Sequence, residues 1–277
     1  MSSFKIGIPN GSLYEKTIKL FKKLGIEIIA NGRSFEAEII GEKIFERALI
    51  MRPQSIPMAI MQGVIDCGIC GWDCVIESGT EEKLVKIVEL NYSKKSNDPV
   101  KVVVFGRKNT LEDNENIAVS SEYPNITKKL FKKARIDFSY GTTEAQVVAG
   151  MFDYGVCITE TGISLRDNDL YILKTLLVSP TVLISRENLP EILTLGKLIK
   201  GALRSEEYQL VKMNVDAGKK NDIISMLPAL KSPTVNNLAD GSIAIEIVVE
   251  KRSLLELLVL LDQTGATDIL VSDLNVI

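Results

Sequence analysis

The stretch Val156-Cys157-Ile158-Thr159-Glu160-Thr161-Gly162-Ile163-Ser164-Leu165 runs an apolar strand into a turn of hydroxyls and glycine. Such a turn, between a strand and a helix, is good material for holding a phosphate. Its backbone N–H groups point inward, the helix N-terminus adds positive potential, and Thr161 and Ser164 can donate hydroxyl protons. Gly162 lets the backbone approach an anion with no Cβ in the way. Taken alone, the same turn reads first as an ordinary helix cap. The expectation is a strand–turn–helix unit of an α/β protein that takes a phosphorylated ligand.

The surrounding pattern repeats that unit. Strands are expected at Phe4–Pro9, Ile26–Ile29, Glu36–Ile40, Ala48–Met51, Ile65–Ile69 and Leu84–Leu90, with helices at Leu13–Leu24, from Ser55 through Gln62, and from Gly71 toward Ser78. Ser55 reads as a helix cap, with Pro57 tolerated in the first turn. This alternation argues for a largely parallel sheet. A polar linker follows at 91–99. A second set then runs Val100–Gly106, Ile117–Ser120, helix Pro124–Lys133, Ile136–Tyr140, helix Glu144–Met151 and Val156–Thr159. Leu170–Val178, Thr181–Ser185 and helix Leu189–Ser205 complete it. The result is two α/β lobes with a cleft between them: residues 1–95 with 178–205 as one lobe, and 96–177 as the other. Ligands in such folds sit at the carboxyl ends of strands, where the glycine-rich turns named here fall. The last segment, 206–277, reads β-α-β-β-α-β, a ferredoxin-like plait.

Composition narrows the chemistry. With 277 residues and 45% hydrophobic content, the chain can build two or three real cores. Its net charge of −3 does not invite nucleic acid. No apolar run is long enough for a bilayer and no signal-peptide pattern opens the chain, so a soluble, cytoplasmic protein without membrane partners is expected. There is no histidine. That excludes Ser-His-Asp and Cys-His catalysis and every histidine metal ligand. Chemistry must rest on carboxylates, hydroxyls, backbone amides, Lys or Arg, and substrate-borne Mg²⁺. Cys67, Cys70 and Cys74 are spaced like metal ligands, but Cys67 and Cys70 alternate with small residues as a buried strand does. Free cysteine packs as a small hydrophobe, and no metal site is expected.

Several motifs, in order, carry a resemblance. They are Arg52-Pro53-Gln54-Ser55-Ile56-Pro57; Asp66-x-Gly68-Ile69-x-Gly71-x-Asp73; Glu122-Tyr123-Pro124-Asn125; Gly141-x-x-Glu144 through Glu160-Thr161-Gly162-x-Ser164-Leu165; and Leu227-Pro228-x-Leu230-Lys231-Ser232-Pro233-Thr234. Over essentially its whole length the chain resembles the long form of ATP phosphoribosyltransferase. The resemblance implies a type II periplasmic-binding-protein-like fold for the two lobes. It implies transfer of a phosphoribosyl group from phosphoribosyl pyrophosphate to N1 of ATP, the first step of histidine biosynthesis, with Mg²⁺ as cofactor. Histidine would be a feedback inhibitor bound at the C-terminal module, and the protein a homo-oligomer, dimer or hexamer.

Carried onto this sequence, the resemblance implies that Thr159, Glu160, Thr161, Gly162, Ile163 and Ser164 hold the 5-phosphate. Glu144 would lie near the sugar or the adenine amino group, and Arg52 would bind phosphates; a first-turn acid and a surface ion pair are the plainer readings. Asn10, Gly11 and Tyr123 would contact substrate. Gly68 and Gly71 would admit ligand to the backbone or be plain turn glycines, and Asp73 would be a contact or a helix cap. In the module, Asp216, Ser232 and Thr234 would hold histidine, or be turn residues. The departures are Cys157, where the family has an aspartate able to bond ribose hydroxyls, Ser55 for an aspartate, and a first turn without Lys or Arg. These losses would weaken phosphoribosyl pyrophosphate binding, or neighbours such as Asp153 or Lys108 would compensate. A non-catalytic bilobal sensor is the reading those losses favour.

Overall fold

A computed structural model describes residues 4–30, 34–41, 44–90, 92, 98–228 and 232–274. It forms two compact units, 1–199 and 200–277. The polar linker at 91–99 lies mostly outside the described residues, as do Leu230 and Lys231.

The first unit holds two sheets. One contains β1 (Phe4–Pro9), β2 (Glu27–Ala30), β3 (Glu36–Ile40), β4 (Phe45–Met51), β5 (Cys67–Gly71), β6 (Val85–Leu90) and β12 (Thr181–Ser185), in the order β2-β3-β4-β1-β5-β12-β6. The expectation of a largely parallel sheet is corrected here. Only β1–β4 and β1–β5 pair in parallel, while β2–β3, β3–β4, β5–β12 and β12–β6 are antiparallel. The reason is connectivity. β2, β3 and β4 follow one another through short links that suit a meander, and β12 arrives from the other lobe running the opposite way. All five residues of β12 are buried, the signature of a strand covered on both faces. Helix α2 (Ile56–Met61) packs Ile56 and Ile60 onto this sheet beside Ile65, Val182 and Ile184. Each such side chain contributes about 1.5–3 kcal/mol by leaving water.

The second sheet contains β7 (Val100–Gly106), β8 (Ala118–Ser121), β9 (Arg135–Phe138), β10 (Tyr154–Thr159) and β11 (Tyr171–Ser179), ordered β11-β7-β10-β8-β9. The chain enters this lobe at β7 and leaves at β11, and a single residue, Pro180, separates β11 from β12. The two crossings are tied together: Trp72 N donates to Pro180 O at 2.9 Å, and Thr181 Oγ1 to Tyr92 O at 2.6 Å. Two helices flank the cleft: α3 (Trp72–Glu77) of the first lobe and α4 (Pro124–Leu130) of the second. The sequence suggests α4 continues to Lys133, but it stops at Leu130. Phe131 is extended, and the Asp113 carboxylate accepts the next three N–H groups, from Lys132, Lys133 and Ala134. A distant acid thus unwinds a turn whose local residues favour helix. In the same way, Ser55 makes no capping bond through its side chain.

The second unit contains β13 (Tyr208–Val215), α8 (Lys220–Met226), β14 (Thr234–Asn237), β15 (Ile243–Glu250), α9 (Leu254–Thr264) and β16 (Thr267–Asp273). Its sheet order is β14-β15-β13-β16, all antiparallel. This is the expected split plait. Strict alternation along β15 sends Ile243, Ile245, Ile247 and Val249 inward against Ile223, Leu257 and Leu261.

Candidate functional site

A cleft of about 740 Å³ opens in the first unit where the two lobes meet. Its floor includes Ser179 and Thr181 at the crossing. One wall comes from Ser12, Pro53 and Gln54, and the other from Glu122, Tyr123 and the stretch from Ile158 to Asn168. The turns after β1, β4, β5 and β10 face it, because both sheets present their carboxyl ends to the same space.

The turn after β10 has the form the sequence implies. Gly162 sits in the left-handed region, φ 69°, and opens helix α6 (Ile163–Asp167). Its N–H donates to Thr159 Oγ1 at 2.9 Å, closing the turn, and Arg166 Nη1 donates to Thr161 O at 3.0 Å. Thr159, Glu160, Thr161, Ile163 and Ser164 line the cleft.

The other expected residues divide. Asn10, Gly11 and Arg52 stand just beside the lining, which is made by their neighbours Ser12, Leu13, Pro53 and Gln54. Asn10 N donates to Met51 O at 2.8 Å, so the turns after β1 and β4 run side by side. Gly68 lies within β5, where a Cβ would come 2.6 Å from Ile56 Cγ2; close packing, rather than ligand approach, accounts for this glycine. At Gly71 a Cβ would collide with the Asp73 carboxylate, which folds back over it.

Asp73 is no helix cap. It is 2% exposed, and its carboxylate accepts from Ser179 Oγ at 2.5 Å, Tyr123 Oη at 2.9 Å and Cys74 Sγ at 3.5 Å, while Asp73 N donates to Ser179 Oγ at 2.8 Å. One buried carboxylate thus joins the first lobe, the second lobe and the crossing. The Tyr123 hydroxyl is therefore committed inside the protein. Burial pushes its ionisation well above the usual range, and the Asp73 charge pushes it further. Beside this knot, Glu77 of α3 accepts from the N–H groups of Asn125 and Ile126, 2.8 and 2.9 Å, and so caps α4 from the first lobe.

Glu122 is the residue that sequence reasoning left out of the site. It appears there only as part of a motif, and nothing local distinguishes it from a surface acid. In the fold it lines the cleft, half-buried. Its N–H donates to Val156 O at 3.1 Å, and Thr143 Oγ1 donates to its carboxylate at 3.3 Å. Burial raises its pKa, the nearby Glu144 raises it further, and the Thr143 hydroxyl lowers it. A carboxyl raised in the folded state binds its proton more tightly there than in the unfolded chain. Its contribution to stability is therefore fully present below the ordinary value of 4.5 and is lost as pH climbs through the raised value. We expect Glu122→Gln to flatten the decline in melting temperature between 4.5 and the raised value; a melting temperature–pH curve parallel to wild type would show that Glu122 titrates normally.

Cys157 lies on the buried face of β10, its thiol 3.9 Å from Glu144 Oε1. Burial pushes the thiol well above its ordinary range, with Glu144 and then Glu122 adding to it. It is a neutral thiol at neutral pH, and a weak acceptor. Asp153 does not fill the gap, since its carboxylate holds Ala118 N at 2.9 Å. All four cysteines are free and buried, and no group of three or more His, Cys, Asp or Glu among the described residues is placed to hold a metal.

In the second unit, Asp216 accepts from Gly218 N at 2.8 Å and caps a 3₁₀ turn. Thr234 pairs with Glu246, which pairs with Lys212. Asp216 lies four residues beyond Lys212, about 13 Å along the strands at the usual rise. The plait of one chain therefore does not bring Asp216 together with Ser232 and Thr234.

The fold and cleft define a two-lobed α/β protein with one sheet per lobe, extended by a C-terminal four-stranded plait. A family model for ATP phosphoribosyltransferase matches residues 52–201, and one for the C-terminal domain of that family matches residues 205–276. The ATP phosphoribosyltransferase of Desulforudis audaxviator is 34% identical, with 98% of each chain covered; that of Nitratidesulfovibrio vulgaris is 35% identical over 98% of this chain and 97% of its own. A solved ATP phosphoribosyl transferase (HisG:HisZ) complex from Thermotoga maritima has a chain with TM-score 0.63 and 26% identity, covering 73% of this chain and 98% of that one. The chain belongs to the ATP phosphoribosyltransferase family in its long form, and its reaction is the first step of histidine biosynthesis. No helix among the described residues is long and apolar enough to cross a membrane.

Proposed function

We propose that the cleft aligns phosphoribosyl pyrophosphate and ATP, with the turn Thr159–Ser164 cradling the 5-phosphate. The observation that carries this reading is the left-handed Gly162 turn, closed by Thr159 and opening into the cleft. The adenine N1 lone pair attacks the anomeric carbon as the bond to pyrophosphate breaks. No strong base is needed to start; alignment and charge stabilisation do the work. Glu144 lies near the ribose or the adenine amino group. Arg52 lies beside the mouth for the polyphosphates, with Asn10 and Gly11 on the adjoining turn.

Among the described residues, the lining side chains include the acids Asp73, Glu122, Glu160 and Asp167 and no lysine or arginine. Arg52 beside the mouth is one positive charge against two polyanions, which therefore gain from counter-charge of their own. Mg²⁺ carried on the polyphosphates supplies that neutralisation, and an ion of this hardness asks the protein for only one or two oxygens. Glu160 and Asp167 beside the loop would provide them.

The C-terminal plait would carry histidine control. Since Asp216 stands apart from Ser232 and Thr234, histidine would contact one or the other within a single plait. The protein would act in the cytoplasm as a homo-oligomer, dimer or hexamer. The test mixes purified protein with ATP, phosphoribosyl pyrophosphate and Mg²⁺ and follows phosphoribosyl-ATP by ultraviolet absorbance, with and without histidine. Product that declines with added histidine is expected. Folded protein that binds ATP yet releases no pyrophosphate would sink the catalytic reading and favour a sensor.

A further inference from the structure

We infer that Glu122 is a specificity-determining residue whose carboxylate accepts a hydrogen bond from a ribose hydroxyl, the acceptor that Cys157 cannot supply. The inference rests on the reading that the turn after β10 holds the 5-phosphate.

Thr159 and Cys157 are two residues apart on β10, so their side chains share one face, about 6.6 Å apart along the strand. A 5-phosphate at the turn would direct its ribose back along the cleft past Ile158, where Glu122 is the lining carboxylate and Cys157 lies beneath it, 2% exposed. A cis-diol arriving there needs acceptors for two hydroxyl protons, and a neutral buried thiol is a poor one. Two carboxylates converge on the same spot. Glu144 reaches it from the first turn of α5 (Thr143–Val148), within 3.9 Å of the thiol. Glu122 reaches it from the end of β8, because β8 and β10 pair in parallel, with Val156 opposite Ser121. The next residue along β8 is therefore beside the next along β10, and the Glu122 N–H to Val156 O bond locks that register. Thr143 anchors one Glu122 oxygen at 3.3 Å, which leaves the carboxylate further lone pairs for the cleft. Its half-buried position and the repulsion from Glu144 fit a group held in place for a ligand rather than for stability.

The test uses the full chain and calorimetric binding of two probes, ribose 5-phosphate and 2,3-dideoxyribose 5-phosphate. Wild type should prefer the ribose form by roughly tenfold or more, the value of a hydrogen bond to a charged acceptor. Glu122→Gln should cut that preference about tenfold while leaving the dideoxy probe's affinity unchanged, a split that a merely structural role would not produce. Adding Cys157→Asp to Glu122→Gln should restore it. Equal wild-type binding of both probes, an undiminished preference in Glu122→Gln, or no restoration in the double variant would overturn the inference. If neither probe binds wild type, the phosphate-turn reading itself fails, and this inference with it.

Discussion

Asp73→Ala should lower the melting temperature of the first unit by about 10 °C. The carboxylate is buried, and the Ser179 and Tyr123 hydroxyls both point at it. Hydrogen bonds to a charged group contribute about 1.5–3 kcal/mol each, and removing the acceptor leaves two buried hydroxyls unpaired. A net loss of about 3–4 kcal/mol follows, and in a unit of this size each kcal/mol moves the midpoint by about 2–4 °C. Activity should fall as well, because Gly71, Tyr123 and Ser179 all line the cleft and share this one anchor. Asp73→Asn keeps the shape but turns one acceptor into a donor facing a hydroxyl, so it should lie between alanine and wild type. A melting temperature for Asp73→Ala within about 2 °C of wild type would mean that the knot between the lobes carries no stability.

The second large effect is expected at Gly162. A β-branched residue at φ 69° is strained outright. A Cβ there would also stand 3.0 Å from Ile172 Cδ1 and 3.4 Å from Arg166 Nη1, the side chain that holds Thr161 O. Gly162→Val should therefore displace the turn and its inward N–H groups. Two lost charge-assisted bonds correspond to a fall of roughly a hundredfold or more in kcat/KM for phosphoribosyl pyrophosphate. The KM for ATP should change little. Gly162→Asn tolerates the left-handed region and should lose less, which separates backbone strain from steric blockage. If both substrates lose affinity alike in Gly162→Val, the turn is a structural cap and the phosphate lies elsewhere.

These residues also mark how far the sequence was legible. Elements with a strong period were readable: β3, β7 and β12 occupy the residues their patterns indicate, and the β-α-β-β-α-β order of the second unit is visible before any coordinates. The phosphate-turn motif was readable because strand, glycine and hydroxyls are adjacent in the chain. The fate of α4 was not. Its end is set by Asp113, eleven or more positions upstream of the helix, and no local propensity contains that. Nor was the role of Asp73, whose partners Tyr123 and Ser179 are 50 and 106 residues away.

By itself, the sequence determined the α/β class, the plait, the exclusion of histidine chemistry and the family, since each rests on composition, period or contiguous motifs. Only the tertiary structure decided the strand directions in the first sheet, because β12 enters it from the other lobe. It alone separated Asp216 from Thr234, through strand register. And it alone brought Glu122 beside Cys157 and Glu144, because a carboxylate's partners are chosen by which strands pair, and pairing is not written at any one position of the chain.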